Sequence, residues 1–375
     1  MHLQRNDPNS HDHLERIRGD ISFDGATIFG TLQMAFSEAR ASNQEHSRQF
    51  FFAFAGQRVH MHIVGRELAT CITSAFSHLQ ISRIAPGTAQ LTIELWDERA
   101  TGVPCQVRFP NDQLRGTDVI ATSLDQRFMV HQQPKTFACL DRFTNHIVGA
   151  INWSKPIGVY EQAKPLSKVL LEWHNDRHIQ IIHAGLIARQ SQGILFVGKS
   201  GAGKSTSTLA CVCGGLSFLS EDYVGLQRGI DGAFHGHSLY NSVFLNHHQL
   251  QQFPDLTPYV IKGRPDEKKA AVFLSHIFPT QLERVVPIRA LLISRVAHTP
   301  ASRLSSASKG QALLALGPSS LLQIANPRGG RSFHALAQLV EQVPCYWLDA
   351  GYDLPSIPRC IEEFLKERTP LWKQT

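Results

Sequence analysis

Eight consecutive residues constrain this chain more than any others. Gly198-Lys199-Ser200-Gly201-Ala202-Gly203-Lys204-Ser205 has the form G-x-x-x-x-G-K-[ST] of a P-loop (Walker A), and Thr206 follows it. The motif acquires meaning from its surroundings. Ile194-Leu195-Phe196-Val197 ahead of it is a short apolar run of strand type, and a long helix is expected from Gly203. A strand that turns through glycines into a helix leaves backbone N–H groups converging on one point, and the helix N-terminus adds positive potential there. Such a place binds phosphate. Lys204 is then the expected contact to the β- and γ-phosphates of a nucleotide, and Ser205 the expected hydroxyl ligand of Mg2+. The competing explanation is an accidental glycine-rich turn, against which the flanking strand and helix weigh.

A P-loop needs a carboxylate near its metal, and Phe218-Leu219-Ser220-Glu221-Asp222 offers two. The interval from Ser205 to Asp222 has room for one helix, a turn at Gly214-Gly215 and a return in extended form. Adjacent strand residues point to opposite faces, so Glu221 and Asp222 both reach a metal site only at a strand end. One then ligates while the other acts as base. A solvated acidic turn is the alternative.

At 375 residues the chain is long enough for two domains of ordinary size. Residues 1–20 are polar and expected to be a flexible tail. Residues 21–165 read as a smaller N-terminal α+β domain. Its expected elements are two strands around the turn at Ala55-Gly56-Gln57, a helix over Glu67–Leu79 and an alternating strand over Leu91–Trp96. Its chemistry is not legible. A helix from Pro165 to Trp173 leads into residues 166–375, with strands expected at Ile179–Ala188, Gly193–Val197, Ala290–Ser294 and Cys345–Leu348 and a closing helix over Ile357–Glu367. Alternating strands and helices make this half α/β.

Composition narrows the partners. The formal net charge is +6 and charged residues make up 18% of the chain, and its short basic clusters carry no interleaved aromatics, so nucleic acid is not expected. No apolar run is long enough for a membrane span, and Met1–Asp20 lacks the apolar core of a signal peptide. Seven cysteines without a C-x-x-C fit a reducing cytoplasm. Nineteen histidines include His11/His13, His235/His237 and His247/His248, none with a Cys or carboxylate at a recognised ligand spacing.

The segments His183–Ala188, Gly193–Thr206 and Gly215–Asp222 together resemble the C-terminal domain of the HPr serine kinase/phosphorylase family, and are most similar to its divergent relatives found beside peptide-modification genes. The resemblance is strong over roughly residues 165–225. It implies a P-loop kinase fold of the HPr kinase/PEP carboxykinase-like type, with ATP (or GTP) and Mg2+ bound by Gly198 through Thr206. By the same resemblance Lys204 and Ser205 bind phosphates and Mg2+, Asp222 is the metal partner and Glu221 takes the proton from an acceptor serine. His183 sits where the family has a histidine close to the transferred phosphate, a core histidine at a strand end being the alternative reading. The family has Asp where this chain has Glu221. Nothing after residue 225 resembles the family's second glycine-rich signature, which is tied to binding HPr and to the phosphorylase activity. A homo-oligomer is a further implication.

The reading that follows is an ATP-dependent kinase acting on a serine hydroxyl of a protein, peptide or small amino-acid acceptor. A nucleotide-binding regulatory module with little or no transferase activity is the alternative. A transport-type ATPase fits less well, since no L-S-G-G-Q follows the P-loop. Lys262–Lys269 would either close over nucleotide or acceptor or be a solvated loop, and Gly329-Gly330-Arg331 would be a phosphate contact or a turn.

Overall fold

A computed structural model describes residues 23–109, 119–322 and 329–372 as a mixed α/β structure with several sheets. The tail expected over residues 1–20 lies outside them. Helix α1 (Gly25–Ser42) is followed by a seven-stranded sheet made of β1 (Ser47–Phe54), β2 (Gln57–Val64), β3 (Leu91–Asp97), β4 (Val119–Thr122), β5 (Phe128–Gln132), β6 (Thr136–Asp141) and β7 (His146–Ile151). Its spatial order is β1-β2-β3-β7-β6-β5-β4, with α2 (Arg66–Phe76) and α3 (Glu98–Thr101) in the connections. The turn between β1 and β2 is the one read from Ala55-Gly56: both residues have positive φ, which suits a two-residue hairpin loop.

Two short helices, α4 (Val159–Ala163) and α5 (Ser167–Asn175), join the first sheet to the second. The helix expected from Pro165 therefore starts at Ser167, because Leu166 has φ +56° and cannot be its first turn. The second sheet has nine strands, beginning with β8 (Gln180–Ile182), β9 (Gly185–Arg189) and β10 (Gln192–Val197). After α6 (Lys204–Cys213) come β11 (Ser217–Ser220), β12 (Val224–Arg228) and β13 (Phe234–Ser238). A separate two-stranded ribbon pairs β14 (Ser242–Asn246) with β15 (Lys269–Phe273), and α7 (His247–Gln252) lies between them in sequence. The chain returns to the large sheet with β16 (Val285–Val296), β17 (Arg303–Ser306), α8 (Lys309–Leu322), α9 (Gly329–Gln342), β18 (Cys345–Ala350) and α10 (Ser356–Trp372).

The strand before the P-loop shows why it is apolar throughout. Alternate residues of β10 enter different cores: Ile194 and Phe196 pack with α6 and α10 residues such as Leu209, Val212 and Ile361, while Leu195 and Val197 pack with Ala312 and Leu316 of α8 and Leu339 of α9. Strands β10, β16 and β18 run parallel, and their C-terminal ends meet where the P-loop begins.

One expectation is overturned. Ile179–Ala188 is two strands, not one: β8 pairs with β12, whereas β9 pairs with β10 and β11. The break falls at His183-Ala184. Since β8 and β11 are the two ends of the sheet's path and only two residues separate β8 from β9, the sheet must curl to bring those ends together. Ser238 of β13 donating its hydroxyl to the carbonyl of Leu219 on β11 marks the same closure.

The two sheets also share a core. Phe52, Phe54 and Phe76 lie in one buried cluster with Trp173, Tyr223, Tyr240 and Phe273. No helix among the described residues is long and apolar enough to cross a membrane.

Candidate active site

The P-loop glycines are there for conformation. Gly198, Gly201 and Gly203 have φ of +144°, +77° and +93°, values that side chains disfavour. Gly198 is also crowded, since a Cβ there would lie 3.2 Å from the Ser294 carbonyl oxygen. Helix α6 starts at Lys204 with Gly203 as its cap and no side-chain acceptor for its first N–H groups, which leaves them available to an anion. Lys204 is buried and donates from Nζ to the carbonyls of Gly198 (2.8 Å) and Lys199 (3.2 Å). Burial pushes its pKa down, against the pull of Asp222 and Glu221. Lys199, Ser200 and Gly201 are exposed at the loop's crest, Ala202 is buried beneath it, and Thr206 accepts from Gln249 Nε2 of α7 at 2.9 Å.

Strand β11 stops at Ser220, so the two carboxylates stand at a strand end. The Tyr223 N–H donates to the Glu221 carbonyl at 3.0 Å across Asp222, whose φ is +76°. This is a γ-turn of the uncommon positive-φ kind, and such backbone costs on the order of 1–3 kcal/mol unless its surroundings hold it. The turn sends the side chains to different partners. Ser205 Oγ donates to Glu221 Oε1 at 2.5 Å, and the buried Glu221 Oε2 has no hydrogen-bond partner. Asp222 is bound on both oxygens, by His183 Nδ1 at 2.8 Å on Oδ1 and by Lys164 Nζ at 2.6 Å on Oδ2. The carboxylate against Ser205 is thus Glu221, where the resemblance had paired Ser205 with Asp222. Burial alone would raise the pKa of Asp222, but Lys164 and His183 together hold it well below the ordinary carboxylate value.

His183 occupies the break between β8 and β9, with its backbone N–H bonded to Ser320 Oγ of α8 at 3.0 Å. The sequence reading missed Lys164. A single lysine before a proline carries no motif, and its partner lies 58 residues away. Its side chain is only 1% exposed, and its ammonium lies over the rings of Tyr223 (4.6 Å) and Phe244 (4.8 Å).

Two further segments take definite places. The loop before β15 is docked on α4: Glu267 accepts the Val159 N–H that opens this helix (2.9 and 3.1 Å), and Gln162 Nε2 donates to the Lys262 carbonyl. The segment is anchored at Glu267 while Lys262, Pro265, Asp266, Lys268 and Lys269 are exposed, and Lys269 is near enough to Lys204 to add to the lowering of its pKa. Gly329-Gly330-Arg331 opens α9 and is not a turn. Among the described residues no group of three or more His, Cys, Asp or Glu side chains could hold a metal by itself, and all seven cysteines are free.

Comparison with known proteins adds little to this geometry. No family model matches the chain, and no curated protein matches it. Among solved structures, the Hpr(Ser) kinase/phosphatase from Coxiella burnetii is similar over 52% of this chain and 96% of its own, at 13% identity and a TM-score of 0.31. A likeness that remote carries no argument about fold family or activity.

Proposed function

We propose that the chain is an ATP-dependent kinase that passes the γ-phosphoryl group to a serine hydroxyl of a protein, peptide or small amino-acid acceptor. GTP is the alternative donor. The observation that carries this reading is the meeting of Ser205, Glu221, Asp222 and His183 at the uncapped N-terminus of α6. A binding module needs the phosphate cradle; it does not need a second carboxylate bonded to a histidine beside it.

The roles follow from what each atom can do. The α6 N–H groups and Lys204 bind the phosphates, Lys204 exchanging its bonds to the loop carbonyls for phosphate oxygens. Ser205 Oγ and Glu221 Oε2, which has no hydrogen-bond partner and lies 3.9 Å from Lys164 Nζ, suit a hard cation that keeps most of its water, and would hold Mg2+. Bound there, Mg2+ would neutralise charge on the phosphate oxygens. In transfer, the acceptor oxygen bonds to the γ-phosphorus, the bond to the β,γ-bridging oxygen breaks, and the hydroxyl proton passes to the His183–Asp222 pair. This assignment exchanges the tasks that the resemblance gave Glu221 and Asp222, because Glu221 is the residue that touches Ser205.

The test is ADP release and mass spectrometry on the purified chain with Mg·ATP, alone and with free serine, HPr and serine-containing peptides. A mass gain of one phosphoryl group on one acceptor is expected. Nucleotide binding with no ADP release under any condition would overturn the kinase in favour of a regulatory module.

A further inference from the structure

We propose that Lys164 is a positioning residue for this site, holding the Glu221–Asp222 turn, and through Asp222 the ring of His183, in the geometry that transfer needs. The proposal rests on the kinase reading.

An ammonium group that is 1% exposed is costly to bury unless its protons are used. Those of Lys164 are directed at the carboxylate turn: Asp222 Oδ2 at 2.6 Å, the Glu221 carbonyl at 3.3 Å and Glu221 Oε2 at 3.9 Å. Tyr223 and Phe244 face it with their rings. The turn it grips is the one with positive φ at Asp222. A strained turn keeps its shape only where contacts over-determine it, and here these are Lys164 and His183 on the carboxylate and the Ser220 hydroxyl donating to the Tyr223 carbonyl.

The lysine is itself firmly held. On one side Glu161 accepts from the Lys135 N–H and the Thr136 hydroxyl of the first sheet, both at 3.0 Å. On the other, Ser242 Oγ donates to the Ala163 carbonyl at 2.7 Å and Tyr240 Oη to that of Pro165 at 3.0 Å. The segment around Lys164 is therefore pinned by the Glu161 carboxylate on the first sheet's side and by Tyr240 and Ser242, at the start of the two-stranded ribbon, on the other, and the ammonium is delivered to one place. No bond links Lys164 to the phosphate cradle, where Lys204 binds the loop carbonyls instead. Its effect passes through the Glu221–Asp222 turn, and reaches His183 through Asp222.

A double-mutant cycle in the full chain tests this. The variants are Lys164→Met, Asp222→Asn and both together, with Mg·ATP as the probe, ADP release giving kcat and KM, and titration with a fluorescent ATP analogue giving Kd. Loss of about 1 Å of placement costs on the order of 100-fold, so Lys164→Met should lower kcat by about that factor while Kd moves by less than about threefold. The double variant should turn over no more slowly than Asp222→Asn, since a residue that acts through another adds nothing once that other is gone. Losses that multiply, or a weakened Kd with kcat intact, would overturn the proposal. If Lys164→Met does not fold, the double variant, which leaves neither charge buried alone, still decides the matter against Asp222→Asn. Wild-type chain that binds the analogue but releases no ADP would instead overturn the kinase reading itself.

Discussion

In the proposed kinase, Lys204 and Glu221 are the residues whose replacement tests phosphate binding and metal-assisted turnover. Lys204→Ala removes the cation nearest the phosphate cradle, and Mg·ATP affinity should fall by at least about tenfold, on the scale of one lost charge-assisted hydrogen bond, as read by titration. Glu221→Gln keeps the shape beside Ser205 but removes the charge that would face Mg2+; turnover should fall by about 100-fold or more and Mg·ATP affinity should weaken while metal-free ATP affinity changes little, and an unchanged kcat would dismiss Glu221 from the chemistry. At this scale the sequence was informative wherever a motif fixes spacing. The glycines, Lys204, Ser205 and the acidic pair were all readable, because a phosphate cradle demands those residue types in that order. Which carboxylate faces Ser205 was not, since a positive φ at Asp222 reverses the directions that a regular strand would give. Lys164 was invisible for another reason: its part in the site exists only once residues 58 positions apart are folded together.

Among the elements, β9 and α6 meet through a missing side chain. A Cβ on Gly185 would stand 2.2 Å from Thr208 Oγ1, so with Thr208 on the facing helix glycine lets the two elements lie together without a clash. Gly185→Ala should destabilise the protein by about 1–3 kcal/mol in denaturant unfolding, and adding Thr208→Ala should recover much of that. Strand β10 and helix α6 could be read locally because each is specified by its own apolar pattern. The division of Ile179–Ala188 could not: all ten residues suit a strand, and the interruption at His183 comes from β8 and β9 choosing different neighbours. That interruption is what frees the His183 ring for Asp222, so the element most misread from sequence is the one that makes the site.

For the molecule as a whole, the joint between the two sheets is sensitive to acid. His78, just after α2, has Nε2 2.7 Å from Ser238 Oγ and Nδ1 3.3 Å from Asn241 Nδ2. Ser238 gives its proton to Leu219 and the Asn241 amide is a donor, so the ring is a neutral imidazole with the proton on Nε2. Burial, with Arg284 adding to it, pushes the pKa of His78 down to about 3; burial likewise takes His174 and His237 to about 4. The unfolded chain takes up these protons near the ordinary value of 6.5 and the folded chain does not. Stability is therefore whole above that pH and declines as pH falls toward the folded values, by about 2 kcal/mol for His78 alone at pH 5. Urea unfolding at pH 8 and pH 5 checks this: His78→Asn should flatten the slope between them, and an unchanged slope would contradict it.

The strand order has a consequence for how the protein is made. Every residue of the candidate site lies between Lys164 and Asp222, yet β10, which carries the P-loop, pairs on its inner edge with β16, which the ribosome releases only at Val285–Val296. Strand β16 also joins β13 and β18, so the large sheet stays open along its middle until that late segment arrives. Pairing between distant segments is slow, and exposed edges invite mispairing in the interval. In the proposed kinase, nascent chains stalled soon after Asp222 should thus contain the complete set of site residues and still fail to retain nucleotide, and retention should begin only once β16 has cleared the exit tunnel.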